Sequence, residues 1–155
     1  MTFHADDDDA PFAIRAAIKY LYGFEFPGDD YPVSLTSLCH YASICATAKK
    51  YEVTGLLEAA FKAAQCALVD SLSDEAELRE FLGTRTLWTK ASFTYPRDFA
   101  FAVRIIGHNL TALRKKAGFQ EVLEDVPELA VDLLNLVADE KDELERKQKN
   151  IEDLE

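Results

Sequence analysis

The stretch that decides the fold is residues 44–56, Ile44-Cys45-Ala46-Thr47-Ala48-Lys49-Lys50-Tyr51-Glu52-Val53-Thr54-Gly55-Leu56. Small and apolar residues at helical spacing lead up to Lys50, and a second helical pattern begins close to Leu56. Only a short break separates the two patterns, which predicts an antiparallel pair of helices. We expect Tyr51 to anchor the break as a buried ring, and Gly55 to permit a close approach.

The same stretch resembles the pattern V-Y-x-x-A-D-K-Y-x-V-x-G-L, which joins two late helices of the BTB/POZ fold. Cys45, Lys49 and Thr54 depart from it, because tyrosine, aspartate and proline are usual at those positions. All the matched residues suit a helix-packing role, so we interpret the motif as a determinant of the fold and not as chemistry. The residues that match directly are Ala48, Lys50, Tyr51, Val53, Gly55 and Leu56.

Two further segments extend the resemblance over most of residues 1–137. Residues 17–23, AIKYLYG, are similar to the family segment L-x-Y-L-Y-T-G-x-Y, with a different spacing before Gly23. Residues 119–134 are similar to the C-terminal segment of many fungal BTB proteins. The fold class that follows is mainly α, a helical BTB/POZ-like array with at most a short strand remnant at residues 1–5.

The resemblance also implies a function, that of a protein–protein interaction adaptor. A more specific form is a substrate-receptor component of a cullin-3-type ubiquitin ligase. Tyr22, Phe24 and Phe26 would then bind the partner as exposed aromatic residues, which suit the core of an interface. The residues themselves leave a second interpretation equally open, in which all three side chains pack inward.

One part of the family pattern has no counterpart in this sequence. BTB domains ordinarily begin with strands and a helical hairpin that would precede residue 1, which implies a truncated gene model or a reduced variant. That part supplies much of the usual dimer interface. Without it, the helix predicted to end near Tyr22 would leave Ile14, Ile18 and Leu21 uncovered, as an apolar patch that favours a partner chain or self-association.

Helix start and stop signals divide the chain into three predicted parts. These are a truncated BTB/POZ-like domain at residues 1–72, a C-terminal helical extension at 73–138 and a charged helical tail at 139–155. The aspartates of residues 6–9 and Ser34 are predicted N-caps, while Ser73-Asp74-Glu75 begins a helix that Gly83 ends.

The charged tail allows a second function. Val137, Leu144 and Ile151 are each seven residues apart, as in one seam of a coiled coil. Glu140 and Lys147 occupy the matching core positions, so the requirement of sustained apolar heptads is not met. The alternatives are a solvated helix and a self-associating structural protein with a coiled-coil tail.

Composition excludes several classes of partner. A net charge of −11 disfavours nucleic acid and anionic membrane surfaces, and no apolar run reaches the length of a membrane span. The basic cluster Arg114-Lys115-Lys116 is typical of a helix C-terminus. Three cysteines in apolar stretches indicate reduced, buried side chains and therefore an intracellular protein of the cytoplasm or nucleus.

Patterns of catalytic and metal-binding residues are missing from the sequence. The aspartates of residues 6–9 lack the glycine and glutamate that a calcium loop places downstream. Cys39, His40, Cys45 and Cys66 do not have zinc-ligand spacing, and His108 lies at a predicted helix end. We therefore expect no enzymatic activity, no cofactor and no metal site.

Overall fold

The structure is a computed structural model that describes residues 10–28, 37–83 and 96–154. Those ranges contain eight α-helices and no strand, which confirms the mainly helical fold class. The strand predicted at residues 1–5, the aspartates of residues 6–9 and Ser34 lie outside the described residues. The helices are α1 (Pro11–Leu21), α2 (Leu38–Lys50), α3 (Thr54–Ser71), α4 (Glu75–Leu82), α5 (Pro96–His108), α6 (Leu110–Leu113), α7 (Ala117–Asp125) and α8 (Pro127–Glu152).

Helix α2 is the central element, and α1, α3, α4 and α5 all pack against it. Every residue from Tyr41 to Ala48 is buried, so no face of this part of the helix meets solvent. A helix can be enclosed in this way only if its side chains leave room for neighbours on all sides. Most of these buried residues are accordingly small: Ala42, Ser43, Cys45, Ala46, Thr47 and Ala48.

The break after α2 forms the predicted helix hairpin through a Schellman motif. The N–H of Glu52 donates to the carbonyl of Lys49 at 3.2 Å, and the N–H of Val53 donates to that of Ala48 at 2.9 Å. Glu52 occupies the left-handed position with φ +56°, where glycine is usual. This turn directs the chain back along α2, so that Leu56, Ala60, Ala64 and Leu68 of α3 become fully buried.

Residues 44–56, which we call the elbow, contain both buried and exposed motif residues. Ala48, Val53 and Leu56 are buried, as a role in helix packing predicts. The expectation of a buried Tyr51 ring is wrong, because Tyr51 is only half-buried and the Lys50 ammonium lies 5.1 Å from the centre of its ring.

Gly55 makes the close approach that the sequence predicts, although the residue itself is exposed. A Cβ atom at this position would collide with the hydroxyl of Tyr20 on α1. The two segments that carry the central resemblance, residues 17–23 and 44–56, therefore meet in space.

Helices α4, α5, α7 and α8 extend the core beyond the hairpin. Asp74 caps α4 as predicted, since its Oδ1 accepts from the N–H of Ala76 at 2.7 Å. The Glu75 carboxylate accepts from the N–H of Gly118 at 2.9 Å, in the first turn of α7, where negative charge is favourable. Arg79 and Glu121 form a half-exposed ion pair at 2.7 Å between the same two helices.

Helix α5 is tied to α3 by polar side chains at its C-terminal end. The amide of Gln65 donates to the carbonyl of Ile105 at 3.2 Å, and Asn109 hydrogen-bonds to the other side of the same amide. One hydrophobic cluster runs from Ala13 to Leu133 and crosses residue 72, where the sequence predicts a domain boundary.

Several predicted helix ends are shifted in the structure. Ala10, and not an aspartate, is the N-cap of α1, and Ser37 is the N-cap of α2 in place of Ser34. Gly118 lies in the first turn of α7. The basic cluster does follow a helix C-terminus as predicted, since α6 ends at Leu113. No helix in the described ranges has both the length and the apolar character needed to cross a membrane.

The left-handed Glu52 makes a specific prediction about stability. Left-handed backbone destabilises an L-residue by about 1–2 kcal/mol, and glycine avoids this cost. The added flexibility of glycine in the unfolded chain offsets roughly half of that gain in stability. We therefore expect Glu52→Gly to stabilise the protein by about 0.5–1 kcal/mol in urea unfolding. The control is Glu58→Gly, on the exposed side of α3, which should destabilise by about 1 kcal/mol. Equal effects of the two substitutions would contradict the turn geometry.

Because Tyr51 is only half-buried, two substitutions in the elbow should differ in how much they destabilise the protein. Tyr51→Ala should cost about 1–2 kcal/mol of unfolding free energy, less than a fully buried aromatic ring would. Leu56→Ala should cost about 2–5 kcal/mol, since Leu56 is fully enclosed between the helices. The reverse order in a thermal or urea denaturation series would show that the tyrosine, and not α3, holds the hairpin together.

Candidate protein-interaction surface

Helix α1 has two apolar faces of different character. Ala13, Ala16 and Ala17 are buried, and through them α1 packs closely on α2. The flank of this face carries larger residues that remain in solvent: Ile18 is 36% exposed and Leu21 is 52% exposed. A helix that turns its smallest apolar residues inward and larger ones outward has a second surface suited to another molecule.

The turn after α1 extends this exposed surface. The N–H of Gly23 donates to the carbonyl of Tyr20 at 3.0 Å, and that of Phe24 donates to Lys19 at 3.2 Å, which is again a Schellman motif. Gly23 has φ +88°, a conformation that L-residues rarely adopt. The motif fixes the path of the chain from Tyr22 to Phe24 and so the positions of both aromatic rings.

The structure separates the three predicted partner-binding residues. Tyr22 is 82% exposed and Phe24 is 41% exposed, as the interpretation of an interface requires. Phe26 belongs to the hydrophobic core, so the expectation that it is exposed is wrong. The interpretation that all three pack inward is wrong for the other two. We define the α1 surface as Ile18, Leu21, Tyr22 and Phe24.

A basic edge borders the α1 surface. Arg15 is exposed and Lys19 half-exposed, one helical turn apart, and the Lys19 ammonium lies 5.5 Å from the centre of the Phe24 ring. The chain as a whole carries a net charge of −11, so this edge differs in sign from most of the protein. A partner that covers the α1 surface would gain from acidic groups at its own rim.

The histidines and cysteines differ in how far they are buried. His40 is half-buried, with its ring centre 5.3 Å from that of Phe12 in an edge-to-face arrangement, and desolvation lowers its pKa. His108 is exposed and packs against Phe61. Cys45 is fully buried, whereas the prediction of burial is wrong for Cys66, which is exposed.

In the part of the chain that the structure describes, no group of three or more His, Cys, Asp or Glu side chains comes together in a way that could hold a metal ion. A depression of about 200 Å3 lies between α4 and α7, and its lining includes Arg79, Gly118 and Glu121. No cysteine or histidine lines it.

The end of α8 is another region with exposed apolar residues. The helix continues to Glu152, across the predicted boundary at residue 138, and every residue from 137 to 154 is exposed. Val137, Leu144 and Ile151, the residues of the predicted seam, are between 45% and 66% exposed. Their exposure fits a solvated helix and equally a helix that pairs with another chain.

Comparisons of the chain with protein-family models, curated proteins and solved structures find no match. The BTB/POZ assignment of residues 44–56 therefore stays a prediction. What the structure adds is the physical surface: an apolar, aromatic patch with a basic edge at the end of α1.

Part of this surface could be recognised from the sequence and part could not. The spacing of Ile14, Ile18 and Leu21 marks an apolar face, and Gly23 directly after Tyr22 is a usual helix-stop signal. The buried alanine face has the same periodicity: Ala17 belongs to the apolar face predicted with Ile14, Ile18 and Leu21, whereas sequence reasoning missed Ala13 and Ala16. The small size of these residues is the sequence signal for the packed face, because small residues allow helices to approach closely.

The position of Gly23 leads to a prediction about this turn. An added Cβ would meet no atom within 4 Å, so substitutions there act through backbone strain alone. Gly23→Ala should destabilise the protein by about 1 kcal/mol. Gly23→Asn is the matched control and should cost less, because asparagine enters left-handed backbone more readily. If urea unfolding shows that the Gly23→Ala protein is as stable as the Gly23→Asn protein, or more stable, the proposed turn is wrong.

Proposed function

We propose that this protein is a protein–protein interaction adaptor that binds its partner through the α1 surface. The observation that supports this most directly is the exposure of Leu21, Tyr22 and Phe24 at the end of a helix whose alanine face is already packed. Exposed aromatic residues next to aliphatic ones are the usual composition of an interface core.

A macromolecular partner fits the shape of this surface better than a small ligand does. Small-molecule sites are concave and enclose most of the ligand. The four residues of the α1 surface instead lie at a helix end and in the turn that follows it, and Tyr22 is almost entirely in solvent. An apolar patch of this kind matches an apolar groove or helix face of another protein.

The partner's chemistry can be stated from the basic edge. Arg15 and Lys19 border the patch, so a complementary partner has an apolar centre with acidic groups on the side that meets them. Charges at the rim of an interface influence the association rate and its salt dependence more than affinity. Binding should therefore slow as salt is raised.

The more specific form of the proposal rests on the resemblance to BTB/POZ proteins. In that form the chain is a fungal-type substrate receptor of a cullin-3-type ubiquitin ligase, and Tyr22 and Phe24 contact the scaffold in the cytoplasm or nucleus. The residues of the elbow hold the helices of this chain together. No enzymatic step is part of the proposal. The helix hairpin at residues 44–56 is the feature that the resemblance predicts there, and it does not identify a partner.

A self-associating structural protein is the second candidate function. The observation that favours it is separate from α1: the exposed apolar residues Val137, Leu144 and Ile151 on α8. Both functions can exist in one molecule, because the two surfaces lie on different helices.

Affinity capture with three matched baits tests the adaptor proposal. We expect the wild-type chain to retain a cullin-type scaffold, identified by mass spectrometry, and Tyr22→Ala to lose it because the most exposed ring of the patch is removed. Val69→Ala is the control, since Val69 is 52% exposed on α3, outside the patch, and should retain the same proteins.

The outcomes separate the two levels of the proposal. Capture of other proteins that depend on Tyr22, without a cullin-type scaffold, would leave the adaptor and remove the ligase. Identical protein sets from all three baits would reject the α1 surface as the binding site.

A further inference from the structure

Helix α1 carries two rows of side chains on the part that α2 does not cover. Each row follows the spacing i, i+4, i+7, so its members lie along one line on the helix surface. The rows are offset by one residue, about 100° around the helix axis, so they border each other. None of these side chains is fully buried: the apolar row is Ile14, Ile18 and Leu21, and the basic row is Arg15 and Lys19, followed by Tyr22.

The basic row is a source of charge complementarity. The Lys19 ammonium lies 5.5 Å from the centre of the Phe24 ring, which keeps this charge beside the α1 surface. Arg15 is exposed one helical turn earlier. Neither cation forms an ion pair with another residue that the structure describes, although the chain carries 28 acidic residues. An acidic partner would therefore meet both cations at the border of an apolar patch.

The backbone of α1 decides which kind of segment fits against it. An extended peptide binds mainly by adding a strand to an open sheet edge, and the described residues contain no strand. The N–H and C=O groups inside a helix are already paired with each other, so they cannot hold an extended segment. Side chains at spacings of three and four residues instead form ridges, which fit into the grooves of a second helix. A helical segment is therefore the form that matches the two rows.

We infer that the partner segment bound by the α1 surface is an amphipathic, acidic α-helix. This inference rests on the adaptor proposal and specifies the class of partner. Arg15 and Lys19 are one turn apart, about 6 Å along the helix axis, and two carboxylates one turn apart on a second helix have the same separation. The apolar residues of that second helix lie beside its carboxylates, as the core residues of a coiled coil lie beside its flanking charges, and they cover Ile18 and Leu21.

A selection of displayed peptides tests the class of partner. Random peptides of about 16 residues, long enough for about four helical turns, are selected on the full chain and then on its Tyr22→Ala variant. We expect the peptides that bind only the unaltered chain to combine apolar residues at helical spacing with Asp or Glu beside them. In fluorescence anisotropy with one such synthetic peptide, proline in its middle should weaken binding at least about tenfold, and proline in its first turn should not.

Exchange of charges tests the contact with the basic row. Arg15→Glu/Lys19→Glu should weaken binding of the same synthetic peptide at least about tenfold, and lysine in place of the peptide's acidic residues should restore binding to this variant. Arg114→Glu/Lys115→Glu is the matched control, because it changes the same two residue types at exposed positions after α6, and it should leave binding unchanged. Circular dichroism checks that both variants keep the helix content of the unaltered chain.

Several results would overturn this inference and leave the adaptor proposal standing. Tyr22-dependent peptides that are basic, extended or rich in proline would assign another class of partner to the α1 surface, as would equal binding by the Arg15→Glu/Lys19→Glu variant. A dimer in sedimentation equilibrium that this variant loses would make a second copy of the chain the occupant. A selection without any Tyr22-dependent peptide would show that no helical segment binds there. Affinity capture with the Tyr22→Ala bait decides the adaptor proposal separately.

Discussion

The enclosure of α2 on all sides is the constraint on which the rest of the structure depends. Four helices pack against it, and this is possible because residues 42–48 are almost all small. A larger side chain at Ala42, Ala46 or Ala48 would separate the neighbouring helices and leave voids around them, which dense protein interiors do not tolerate. The elbow at Glu52 then returns α3 along α2, and the close contact of Gly55 with Tyr20 positions α1 against the start of α3.

The exposed surface of α1 follows from this packing. Because α2 accepts only a close neighbour, α1 presents Ala13, Ala16 and Ala17 to it, and the larger Ile18 and Leu21 are left outside. Burial of apolar area by a partner is favourable by about 25 cal/mol per Å2, so the exposed side chains are a source of binding free energy. Packing inside the chain and binding outside it are therefore two consequences of how one helix distributes its large and small residues.

The sequence could predict the elements that depend on local signals. Asp74 and Gly83 mark the two ends of α4, and the break after Lys50 marks the hairpin, because capping and turn formation involve residues close together in the chain. Burial is a property of distant contacts, and here the predictions were less successful. Phenylalanine and cysteine occur both in cores and on surfaces, so residue type alone does not predict the burial of Phe26 or Cys66. Only the arrangement of the helices buries Phe26 and exposes Cys66.

If the α1 surface and the exposed part of α8 both bind as proposed, association through α8 would strengthen binding through the α1 surface. An α8 pair joins two chains, and each chain carries its own α1 surface, so the dimer offers two identical sites to one partner assembly. Linking two sites raises the effective concentration for the second binding event, and avidity can exceed single-site affinity by about 10²–10⁴-fold. A seam interrupted by Glu140 and Lys147 makes the number of linked sites depend on protein concentration. Association through α8 would then control how strongly the α1 surface engages a multivalent partner, without any change in that surface itself.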